Sequence, residues 1–79
     1  MRTILEIINK IKWDKSENPE EYIFAYEDRV EHKLKEIKFT DIIRMEGNFM
    51  VLQHDDEEVE VPLHRIREVR KKGIVVWKR

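Results

Sequence analysis

The sequence predicts an α+β domain, an N-terminal helix packed on a curled antiparallel sheet or small barrel of about five short strands. Three observations carry this. Ile4, Ile7, Ile8 and Ile11 recur at the spacing of one helical face. Apolar residues alternate over 22–26 and again over 58–63, as half-buried strands do. Polar or Gly-containing clusters at 46–48, 55–57 and 71–73 then mark tight turns. The chain has 79 residues and no cysteine, so it reads as a single domain, 1–79, held by its core without disulfides.

The helix spans Thr3 to Lys12. Thr3 can accept from a backbone N–H three residues on while Glu6 reaches back, a capping box at the edge of the apolar run. Trp13 and Asp14 fall at its exit, and the Lys-Ser-Glu-Asn-Pro segment that follows is loop composition closed by a proline. Tyr22 to Tyr26 is a strand, whereas 30–38 is polar and reads as a loop leading to a short strand. Between Phe39 and Met45 the apolar residues suit a helical turn or an irregular strand equally.

Phe49 to Gln53 follows the Gly47-Asn48 turn as a strand, and Glu58 to Leu63 follows the acidic tip. Pro62 donates no ladder hydrogen bond, so it belongs at an edge or at a strand's end. Leu63, Ile66 and Val69 are then spaced by three, which breaks the strand period and predicts a single turn at 64–66. A hairpin around Lys71-Lys72-Gly73 closes the chain, and no internal repeat is visible.

Composition excludes several function classes. The lack of cysteine removes thiolate chemistry and fits a reducing compartment, so cytoplasm is expected. No apolar run approaches the roughly 18 residues of a membrane span, and the opening Met-Arg-Thr-Ile lacks a secretory signal's layout. His32, His54 and His64 match no zinc spacing, so neither a metal nor another cofactor is expected. With only Gly47 and Gly73, a Gly-rich phosphate loop is impossible, and the hydroxyl residues sit in no triad context.

The net charge of -1 gives no overall nucleic-acid signature, but the charge is unevenly placed. Residues 54–60 hold five acids, whereas 65–79 hold seven Lys or Arg against Glu68 alone. Arginine forks suit phosphate oxygens and aromatic faces suit bases, the pairing that single-stranded nucleic acid needs. His64 adjoins Arg65 and Arg67 after the prolyl strand end, where side chains can converge on a ligand. Against these stand plain alternatives: a packing or capping histidine, and cations that are merely the solvated face of strands.

Four short motifs sharpen the reading. Trp13-Asp14, Tyr26-x-Asp28-Arg29, Val61-Pro62-x-His64-Arg65 and Val76-Trp77-x-Arg79 occur in this order across the chain. Together they resemble the RNA cyclic-group-end recognition domain, a small, mainly archaeal family long filed as one of unknown function. The resemblance runs from the first helix to the last residue. It departs at Lys78, where many relatives carry an acid, so no acidic role is carried over to that position.

The resemblance implies recognition of RNA 3′ ends that bear a 2′,3′-cyclic phosphate, in RNA processing or repair and in company with other RNA-processing proteins. Its site residues are Asp14, Asp28, Arg29, His64, Arg65 and Arg79, with Trp13, Tyr26 and Trp77 as stacking faces and Arg67 as a neighbouring cation. Asp14 or Asp28 would orient an arginine or repel the extra charge of an opened phosphate. A non-catalytic role is expected, because the paired His-x-Ser/Thr motifs of cyclic phosphodiesterases are absent. Two other classes stay open: a protein-interaction module using the acidic hairpin and the basic end, and, against the missing motifs, a cyclic-phosphate phosphodiesterase with His64 as general acid or base.

Overall fold

The computed structural model describes residues 3–79, with the His54 side chain outside the described residues. Helix α1 (Ile4–Trp13) opens with half of the expected capping box: Thr3 accepts the Glu6 N–H at 3.2 Å, and Ile4, Ile7, Ile8 and Ile11 form the buried face. Asn18 caps a 3-10 turn at Pro19–Glu21 that leads into β1 (Tyr22–Glu27). There follow β2 (Leu34–Lys38), β3 (Ile42–Glu46), β4 (Phe49–His54), β5 (Glu57–Pro62), β6 (Ile66–Lys71) and β7 (Ile74–Lys78).

These strands form two antiparallel sheets, in the orders β2-β1-β6-β7 and β3-β4-β5. The α+β class is as predicted. The strand count of about five is corrected to seven among the described residues, whose two sheets do not close into a barrel. The ambiguous stretch after Lys38 explains part of the difference. It contains both conformations weighed for it, a 3-10 turn at Phe39–Asp41 and then β3. A mixed period in the sequence is therefore a change of element.

A third 3-10 turn, Leu63–Arg65, does the same between β5 and β6. Each of these turns carries the chain from one sheet to the other, in opposite directions. Their apolar residues correspond: Ile37, Phe39 and Ile42 around the earlier match Val61, Leu63 and Ile66 around the later. The repeat is one of geometry and apolar spacing, which residue identity does not display.

The helix and both sheets share one core, in which Phe24, Met50, Ile66 and Val69 are fully buried beside the helix isoleucines. Burial of such side chains is the main favourable term, roughly 1.5–3 kcal/mol each. On the opposite face of the larger sheet Ala25 is also fully buried. Its cross-strand partners are Glu36 and Glu68, and Arg70 pairs with both of those carboxylates. A small residue at the centre leaves room for the guanidinium to span the strands. Val51 is covered similarly on the smaller sheet, where its cross-strand neighbour Arg44 pairs with Glu46 at 2.6 Å and Glu58 at 3.1 Å.

Candidate functional site

A groove of about 550 Å³ opens between the end of β1, the loop after it, β5 and the Leu63–Arg65 turn. Five predicted site residues line it: Tyr26, Asp28, Arg29, His64 and Arg65. The fold therefore joins two motifs far apart in sequence. Tyr26 stands on β1 half-buried against the core, and the loop that begins at Asp28 carries Arg29 exposed. Pro62 ends β5 and presents His64 and Arg65 on the 3-10 turn, the geometry anticipated from the proline.

Asp28 organises the loop. Its Oδ1 accepts the N–H of Val30 at 2.8 Å and of Glu31 at 2.9 Å, and its Oδ2 meets Lys35 Nζ at 3.0 Å. The Glu31 amide, the Lys35 ammonium and the Val30 amide, in that order, hold the carboxyl down at about 2. This carboxylate is committed to the hairpin, and its partners are neither Arg29 nor Arg65. Asp14 is similarly local: Ser16 donates its hydroxyl at 2.6 Å and its amide at 2.9 Å, keeping the carboxyl below its ordinary value.

The arginines divide sharply. Arg44 and Arg70 are ion-paired as described, and Arg67 binds Glu27 through Nε at 3.1 Å and its terminal nitrogen at 3.0 Å. Arg79 donates to the Ile66 carbonyl at 3.1 Å and the Leu63 carbonyl at 3.2 Å, fastening the 3-10 turn from beneath. Among the described residues, Arg29 and Arg65 are the arginines left without a carboxylate or carbonyl partner, and both line the groove. A guanidinium presents a fork of donors that matches phosphate oxygens, so two unengaged forks at one groove suit an anion.

The remaining predicted residues lie elsewhere. Trp13 is 73% exposed at the helix end, with Lys12 Nζ 5.4 Å from its ring centroid. Trp77 packs against the core under Arg79, whose guanidinium carbon is 5.2 Å from the ring. It lines a second groove, of about 530 Å³, between α1 and the β6–β7 hairpin. The two grooves share no residue, and neither includes Trp13 or Asp14. In the second groove Tyr22 donates its hydroxyl to Glu17, and burial followed by that bond pushes the phenol up to about 12.

Sequence reasoning missed Phe49 and Glu60, which also line the first groove. In the sequence Phe49 marks only the start of a strand, and Glu60 is one polar position in an alternating one. Their nearness to His64 depends on the β4–β5 register, where Phe49 opposes Pro62, and on Leu63 N–H donating to the Asn48 carbonyl at 2.8 Å. No local pattern encodes that pairing. Among the described residues no group of His, Asp or Glu side chains is arranged to hold a metal ion, and no helix is long and apolar enough to cross a membrane.

The fold and groove define a class: a small α+β domain that presents free guanidinium groups and aromatic faces at one open cleft. A family model described as the MJ1316 RNA cyclic group end recognition domain matches residues 1–79, and the chain belongs to that family. It is similar to a UPF0248 protein of Saccharolobus solfataricus, 35% identical over 79 residues, covering 96% of this chain and 95% of the relative. A UPF0248 protein of Metallosphaera sedula is 35% identical over 77 residues, covering 98% and 92%. One from Saccharolobus islandicus is 32% identical over 79 residues, covering 96% and 98%. No solved structure matches the chain.

Proposed function

We propose that this groove receives an RNA 3′ end carrying a 2′,3′-cyclic phosphate, with Arg29 and Arg65 on the phosphate oxygens and His64 as a further donor. The observation that carries this reading is the pair of guanidinium groups without an intramolecular partner at a single cleft. The family description points to the same ligand. A cyclic phosphate is a monoanion, whereas an open terminal phosphate is nearly dianionic. Positive charge alone would favour the open end, so selection rests on shape and on what else lines the groove.

The role is binding without turnover. The paired His-x-Ser/Thr motifs of cyclic phosphodiesterases are absent from the sequence, and His64 is the single histidine among the residues lining the groove. Cyclic-ended RNA incubated with the protein should stay cyclic. The deciding measurement compares one oligonucleotide with cyclic, 3′-phosphate and 3′-hydroxyl ends. The cyclic end should bind tightest, with a shallow salt slope of about −0.7 per phosphate contacted. Equal affinity for the three ends would overturn the reading. Arg65→Ala and Arg29→Ala should each lose affinity while the fold remains.

Docking of another protein is the second reading, favoured by edge strand β7, where Ile74, Val75 and Val76 are consecutive and exposed. A partner association that survives RNase and is lost with a charge at Val75 would support it.

A further inference from the structure

We infer that Phe49 is the platform on which the terminal base of the bound RNA stacks, an inference that rests on the groove being an RNA-end site. The aromatic side chains divide as the arginines do. Phe24 and Phe39 face one another with centroids 5.7 Å apart, and Trp13, Tyr22 and Trp77 lie under Lys12, Lys71 and Arg79. Among the described residues, Tyr26 and Phe49 are the aromatics whose rings meet neither another ring nor a cation, and both line the groove. Tyr26 is packed against the core, whereas Phe49 remains 42% exposed.

Its position is fixed relative to the cations. Phe49 opposes Pro62 across the β4–β5 ladder, and the Leu63 amide holds the preceding Asn48 carbonyl at 2.8 Å. The same two segments therefore place the aromatic ring and the turn that bears His64 and Arg65. A phosphate held at the guanidinium groups leaves the attached nucleoside within the groove, where an exposed ring opposite Pro62 on the neighbouring strand offers an apolar face. Every base has such a face, so the subsite tolerates any terminal base and favours purines for their larger area. Trp13 and Trp77, stacking faces implied by the family resemblance, are outside this groove.

The test uses cyclic-phosphate RNA whose terminal nucleoside either carries adenine or is abasic, with wild-type protein and Phe49→Ala, Phe49→Leu and Phe49→Trp. Wild type should bind the adenine end about 10-fold tighter than the abasic end. Phe49→Ala and Phe49→Leu should lose that difference while Phe49→Trp keeps it. Equal wild-type affinity overturns the platform even if a variant fails to fold, and three substitutions at Phe49, with Tyr26 left intact, assign any preference to this ring. Equal wild-type affinity for the two ends, or full adenine-end affinity in folded Phe49→Ala, would overturn the platform. Persistent preference for the cyclic end over 3′-phosphate in that case leaves the groove reading standing. Loss of the preference removes both.

Discussion

Asp28 and Lys35 meet at 3.0 Å across the β1–β2 hairpin, and the same carboxylate caps two amides of the loop that carries Arg29. The ordering of a groove arginine thus depends on an acid that is itself held ionised down to about pH 2. The folded-state value lies below the ordinary 3.8, so the unfolded chain takes up the proton first. Stability from this group is complete above about pH 4 and is lost as pH falls toward about 2. Melting temperature followed over that window should decline in wild type and decline less in Asp28→Asn, which starts lower at neutral pH.

Arg79 supports the site from below. Its two carbonyl bonds hold the ends of the 3-10 turn, so Arg79→Ala should cost about 1.5–3 kcal/mol in urea unfolding, the range for hydrogen bonds to charged groups. Affinity for the cyclic end should also fall, because His64 and Arg65 lose their seat. Arg79→Lys keeps the charge but cannot reach both carbonyls as a fork, so it should recover little of either.

The centre of the larger sheet should tolerate no extra bulk. Ala25 lies beneath Arg70, between Glu36 and Glu68, with no exposed surface. Ala25→Leu must displace that guanidinium or bend the strand, at about 1–3 kcal/mol. Thermal unfolding reads this directly, while Ala25→Ser should pass nearly unnoticed. RNA binding by the folded fraction of Ala25→Leu should be retained, since the groove is built from other residues.

Much of this architecture was legible in the sequence because it is encoded locally. The Thr3 cap, the isoleucine face, the strand end at Pro62 and the Gly73 hairpin each rest on residues a few positions apart. The candidate groove was legible in part for the same reason: His64-Arg65 and Asp28-Arg29, which line it, are short motifs at turns. What escaped depends on pairing between distant strands. Phe49 and Glu60 join the groove through the β4–β5 register, and the split that leaves Trp13 and Trp77 outside it follows from where α1 and β7 pack. Charge counting also could not tell free arginines from Arg67, Arg70 and Arg79, which are spent on the fold.

If the groove is the RNA-end site proposed above, Glu60 is better placed than Asp14 or Asp28 for the charge repulsion that the family resemblance implies. Those carboxylates are engaged by nearby amides, Ser16 and Lys35, whereas Glu60 lines the groove exposed and, among the described residues, forms no ion pair. A fixed negative charge there repels a bound dianion more than a monoanion. For unit charges about 8–10 Å apart across a solvent-exposed cleft, such a difference would amount to roughly 3- to 10-fold in binding. Glu60→Gln should therefore raise affinity for the 3′-phosphate end relative to the cyclic end by about that factor, and leave the 3′-hydroxyl end nearly unchanged. Both effects should shrink in high salt, because the groove is open to solvent. A cyclic-to-open preference identical in Glu60→Gln and wild type at low salt would assign selection to the shape of the groove alone.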